Sequence, residues 1–141
     1  MNVCRFEELR SLGEESVQAG RLEEAEVFFE QALEYAQEHG DPAVIDLGIC
    51  NRAAMRIELG RGESELSRLR EILLRNANPQ NCRLAAYHVS RYYDLTKNYK
   101  KSLFYARIAL ERAEALERLD WMASSHNRIG NVMLAESFVD E

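Results

Sequence analysis

The stretch from Gly20 to Leu33, GRLEEAEVFFEQAL, decides the fold. A turn glycine is followed by Ala25, Phe29 and Ala32, whose spacings of four and three put them on one face of a helix. Two alanines around an aromatic ring let a neighbouring helix approach closely while the ring fills the gap. The stretch therefore reads as the second half of a helical hairpin. Its first half is Glu7 to Ala19, with Phe6, Leu9, Leu12, Gly13 and Val17 as an apolar stripe and Gly20-Arg21 as its end. Gly13, seven residues before Gly20, suits a place where the two helices cross closely.

The same grammar recurs along the chain. Leu22 to His39 is the partner helix, and Gly40-Asp41-Pro42 combines a helix stop, an N-cap oxygen and a first-turn proline. A third helix runs from there through Ile49 and Ala53 to Leu59, where Gly60-Arg61-Gly62 breaks it. Leu66, Leu69, Ile72 and Leu73 mark a fourth. Asn78-Pro79 repeats the cap-and-proline device 37 residues after Asp41-Pro42. The fifth helix spans about Gln80 to Lys97 on a stripe of Leu84, Ala85, Val89 and Tyr93, and Asn98 supplies the turn. In YKKSLFYARIAL, opening at Tyr99, the places of Ala25, Phe29 and Ala32 are taken by Ser102, Ala106 and Ala109. Asp120 is expected to cap a seventh helix, Trp121 to about Phe138. Inner turns at Gly20, Gly60 and Lys97 lie 40 and 37 residues apart, and outer caps at Asp41, Asn78 and Asp120 lie 37 and 42 apart. Each hairpin has an apolar face it cannot bury alone, so neighbours are expected to stack.

This pattern resembles the tetratricopeptide repeat, whose basic period is about 34 residues. The first repeat carries it best, with Leu12, Gly13, Gly20, Ala25, Phe29 and Ala32 at the family's spacings; the third is weaker. The resemblance implies an all-α fold, a right-handed α-solenoid of antiparallel helical hairpins with seven helices. It implies one domain over 1–141, with repeats at about 6–40, 41–77 and 78–119 and a closing helix at 120–138. The second repeat departs most, since Arg52, Arg56 and Glu65 stand where the family packs small or apolar residues. Either these charges are buried together in the family register, which keeps Gly60 in the place of Gly20, or the third helix slips by one and brings Ala54 and Ile57 into the core. In the first register Glu65 must contact an arginine.

Composition narrows the function. Hydrophobic residues at 46% and charged residues at 30% match a soluble globular chain, and two prolines with seven glycines leave no disordered linker. No apolar run approaches the roughly 20 residues that span a bilayer, and the N-terminus lacks a long apolar core, so a cytoplasmic, membrane-free protein is expected. The net charge of −6 disfavours nucleic acid. It is unevenly spread: residues 1–40 hold three Lys/Arg against ten Asp/Glu, and residues 81–118 hold eight against four. Cys4, Cys50 and Cys82 show neither a disulfide framework nor paired zinc spacing, and His39, His88 and His126 have no second ligand a helical turn away. No nucleophile elbow, phosphate loop or paired-acid motif occurs. The expectation is a non-enzymatic chain without metal or cofactor, with the aromatic group Tyr92, Tyr93, Tyr99, Phe104 and Tyr105 serving as core.

The family alignment implies a concave face of Glu7, Arg10 and Glu14, then Leu47, Cys50, Asn51 and Ala54, then Leu84, Tyr87, His88 and Arg91, and finally Ser124, Asn127, Arg128 and Asn131. Asn127 and Asn131 stand one turn apart, where two amides can donate to and accept from a peptide backbone. Some relatives hold a chaperone's C-terminal carboxylate in a basic clamp; Asn51 matches it, but Glu14, Leu84 and His88 do not. The reading is a protein interaction module binding a peptide or protein segment through Tyr87, Arg91, Asn127 and Asn131, with Asn51 and Arg10. The alternative is a self-assembling or structural module associating through helix 120–138, as a homo-oligomer or within a longer repeat protein. A helical-repeat RNA binder would need a basic groove, which the acidic first repeat opposes.

Overall fold

The computed structural model describes residues 3–140, with side chains from Arg5 to Phe138. Among these residues the protein is all-α, with seven α-helices and no strand. They are α1 (Val3–Gln18), α2 (Leu22–His39), α3 (Pro42–Glu58), α4 (Leu66–Arg75), α5 (Pro79–Leu95), α6 (Tyr99–Ala115) and α7 (Leu119–Asp140). A single 3₁₀ turn, Glu63–Glu65, precedes α4. The chain forms two compact units, Met1–Glu65 and Leu66–Glu141. In the first, α1 packs on α2 and α2 on α3; in the second, α4 packs on α5, α5 on α6 and α6 on α7. Short connections between consecutive packed helices fold the chain back on itself.

The inner turns are built alike. Gly20, Gly60 and Lys97 take φ of 78°, 80° and 64°, the left-handed region that ends a helix. Each amide there bonds the carbonyl three residues back, and the next amide reaches five back: Gly20 to Val17 and Arg21 to Ser16, Gly60 to Ile57 and Arg61 to Arg56, Lys97 to Asp94 and Asn98 to Tyr93. Both bonds satisfy carbonyls that a helix end would otherwise leave open. Glu117, after α6, repeats the form at φ 55°. Asp41 and Asn78 cap as expected, Asp41 accepting from the amides of Ala43 and Val44 and Asn78 from that of Asn81. Asp120 does not. It lies inside the first turn of α7, one residue past the helix start, and its carboxylate holds Arg118 at 2.9 and 3.1 Å.

In the first unit Phe6 and Leu9 of α1 close on Ala32 and Ala36 of α2, while Ala25 and Phe29 close on Met55 of α3. Counting from the inner turns, Gly13, Ala53 and Ser90 occupy equivalent places, and all three are buried. Beside Gly13 runs the Phe29 ring. Ser90 crosses α6 differently: its hydroxyl donates to the Ser102 carbonyl at 2.8 Å, and the Ser102 hydroxyl donates to the Ser90 carbonyl at 2.8 Å. Both serines are fully buried, so these reciprocal bonds satisfy polar groups that close packing removes from water.

Arg52, Arg56 and Glu65 meet in one cluster of the first unit, with Arg52 and Glu65 buried and Arg56 half-buried. Glu65 is 2% exposed. Its two oxygens meet Arg56 Nη1 at 2.5 Å and Arg52 Nη2 at 3.4 Å. Glu30 of α2 joins both arginines, at 3.3 Å to Arg52 and 3.2 Å to Arg56, and Glu26 meets Arg61 at 3.2 Å. Three cations thus face three carboxylates, the arrangement that makes a buried charge tolerable. Arg52 is buried rather than turned outward, yet Ile57 is buried as well and Ala54 is half-buried, so features expected of each register occur together. Cys50, expected on a binding face, is fully buried instead. Cys82 is buried too, and the side chain of Cys4 lies outside the described residues.

In the second unit Tyr93 is buried and stacks on Tyr105, with ring centroids 5.9 Å apart, while Tyr92 meets it edge-on. Phe104 breaks the expectation of an aromatic core. It is 60% exposed, because the α6 face it occupies is turned away from the face carrying Ser102, Ala106 and Ala109.

Candidate binding faces

Of the residues expected to anchor a partner, four belong to the second unit. Tyr87 and Arg91 stand one turn apart on α5, and Asn127 and Asn131 one turn apart on α7. Arg128 of α7 reaches across to α5: its Nη2 donates to the Tyr87 hydroxyl at 3.3 Å and its Nη1 to Asp94 Oδ2 at 3.3 Å. Arg91 Nη1 meets the same Asp94 oxygen at 3.2 Å. Asp94 therefore carries two guanidinium groups, one from its own helix and one from α7. Asn127 and Asn131 are exposed beside this set.

Rings and cations alternate across the same two helices and the turn that precedes α7. The Arg118 guanidinium lies 3.9 Å from the centroid of Trp121, Arg83 lies 4.4 Å from Trp121 and 5.7 Å from Tyr87, and Arg128 lies 5.0 Å from Tyr87. A cation over an aromatic face is attracted by the ring's quadrupole, more strongly where water is excluded, and Arg83 is buried. His88 sits within this field. Burial pushes its imidazole down to about 3, and Arg83 and then Arg128 act in the same direction. The ring is therefore neutral at physiological pH. Sequence reading had no signal for the Arg83–Trp121 pair, since 38 residues separate its members.

The other two anchors lie in the first unit, and each is described by itself. Asn51 is half-buried on α3. Arg10 is engaged within α1, donating through Nε and Nη2 to Glu7 and through Nη1 to Glu14. Its charge is met locally by two carboxylates. The histidines lie apart: His39 donates through Nδ1 to the Tyr35 carbonyl at 2.8 Å and stacks on that ring, and His126 is exposed. No helix among the described residues is long and apolar enough to cross a membrane. No family model matches the chain, and no curated protein matches it.

Proposed function

We propose that the protein is a non-enzymatic, tetratricopeptide-like interaction module, a right-handed solenoid of hairpins over 1–141 that binds a peptide or protein segment in its concave groove. The observation that carries the reading is the α5–α7 face. There Tyr87, Arg91 and Arg128 are held in place around Asp94, next to the exposed amides of Asn127 and Asn131. Fixed side chains lose little freedom on binding, and exposed carboxamides offer both a donor and an acceptor to a peptide backbone. The repeat itself is supported by the matching inner turns and by the buried small residues at equivalent places. Cytoplasmic location belongs to this proposal.

Asn131→Ala combined with Arg91→Ala tests it. Proteins retained by the wild-type chain from native cell extract, identified by mass spectrometry, should be lost with the double variant while helicity and melting temperature hold. Retention of the same proteins would move the site elsewhere, and loss of fold would make these residues structural.

A second reading is favoured by the exposed apolar end of α7. Met133 is 52% and Phe138 67% exposed, a composition suited to association through this helix with another copy.

A further inference from the structure

We propose that the grooves flanking α6 in the second unit receive an amphipathic, acidic helix of a partner protein. This surface shares no residue with the Tyr87–Asn131 face. Its ridge is Phe104, Ile108 and Glu111, spaced four and three along α6 so that they form one row. On one side lies a cavity of about 360 Å³ against α4, lined also by Arg70, Leu73, Leu74 and Arg112. On the other lies a cavity of about 540 Å³, lined also by Lys100, Leu103, Arg107 and Glu136 of α7.

The floor is apolar and exposed. Leu74 is 84% and Phe104 60% exposed, and the two line the same cavity. Large apolar side chains gathered around a cavity mark a docking site more often than scattered ones do.

The rim specifies the occupant's charge. Four cations line the two cavities, Arg70, Lys100, Arg107 and Arg112, against two carboxylates, Glu111 and Glu136. Arg70 engages the phenol groups of Tyr93 and Tyr105, which leaves its charge intact. Lys100, Arg107 and Arg112 make no ion pair among the described residues. Arginines on other helices do hold carboxylates, as Arg10, Arg56 and Arg128 show. Unmatched cations around an apolar floor call for apolar side chains flanked by Asp or Glu. A row at helical spacing between two grooves fits the ridges of another helix, with no strand edge among the described residues to recruit an extended segment.

The probe is a fluorescein-labelled alanine-based helical peptide with leucines at i, i+4 and i+7 flanked by glutamates, titrated with the full chain and read by fluorescence anisotropy. Two control peptides carry lysines for the glutamates or alanines for the leucines. Saturable binding is expected, weakened about tenfold or more, or roughly 1.4 kcal/mol, by Phe104→Ala, by Arg112→Glu and in either control peptide, and weakened by salt. Asn131→Ala with Arg91→Ala should leave it unchanged, which separates this surface from the Tyr87–Asn131 face. Circular dichroism verifies that each variant is folded, and Arg112→Glu keeps the test decisive if Phe104→Ala is not. The proposal is overturned by absence of binding, by equal binding of the lysine peptide, or by indifference to both substitutions. It is also overturned if the wild type self-associates in sedimentation and Phe104→Ala returns it to monomer, which would give the groove to a second copy.

Discussion

A side chain on Gly13 would begin 2.4 Å from Cε1 of Phe29, with two further ring atoms inside 3 Å. The first hairpin therefore closes on a ring laid against bare backbone. Because Phe29 is buried between α1 and α3, it has little room to turn away. Gly13→Ala should destabilise by about 1 to 3 kcal/mol through overpacking, less the gain of up to about 1 kcal/mol in helix propensity. Phe29→Leu should relieve that cost, giving a coupling above about 0.5 kcal/mol in a denaturation double-mutant cycle. Additive effects would place the strain elsewhere.

Glu65 is buried between Arg52 and Arg56, and Glu30 is the more exposed brace beside it. Glu65→Ala should cost roughly 3 to 5 kcal/mol, because Arg52 stays buried with a partner removed. Glu30→Ala should cost about 1 kcal/mol or less. Urea denaturation of the two variants measures the difference, and equal costs would contradict the burial argument.

His88 predicts an acid-side loss of stability. Unfolded, the ring takes up a proton near pH 6.5; folded, it does so only near pH 3. Between those values the unfolded state binds more protons, so stability rises with pH and falls on acidification. From pH 6.5 to 5 the loss from this residue should be about 1 to 2 kcal/mol. His88→Asn should flatten that part of the stability profile relative to wild type. Parallel profiles for the two proteins would show that the ring protonates freely in the folded state.

The exposed end of α7 gives a test of assembly. If copies associate through Met133 and Phe138, sedimentation equilibrium should show an oligomer that Met133→Glu returns to monomer with its helicity intact. A wild-type chain that stays monomeric at high concentration would rule this edge out.

The helices were legible in the sequence because their signals are local. Cap oxygens at Asp41 and Asn78, turn residues at Gly20, Gly60 and Lys97, and stripes at a 3.6 period each act within a few residues. The family resemblance also posed the question of Arg52, Arg56 and Glu65, since places that the family packs cannot hold lone charges. Other features depended on which helices meet. Asp120 had the composition of a cap, yet the preceding turn closes on Glu117 and leaves it inside the helix. Phe104 and Tyr105 are adjacent in sequence, but successive helical positions point about 100° apart, and packing on α5 buries the side of α6 that carries Ser102 and Ala106. The sequence by itself determined that seven helices form and, at Gly20, Asp41, Gly60, Asn78 and Lys97, where the chain turns between them. Tertiary structure decided that Glu30 would complete the buried charge cluster, that Arg128 would join Tyr87 to Asp94, and that Phe104 would face water, because each outcome rests on contacts or burial set by residues distant in the chain.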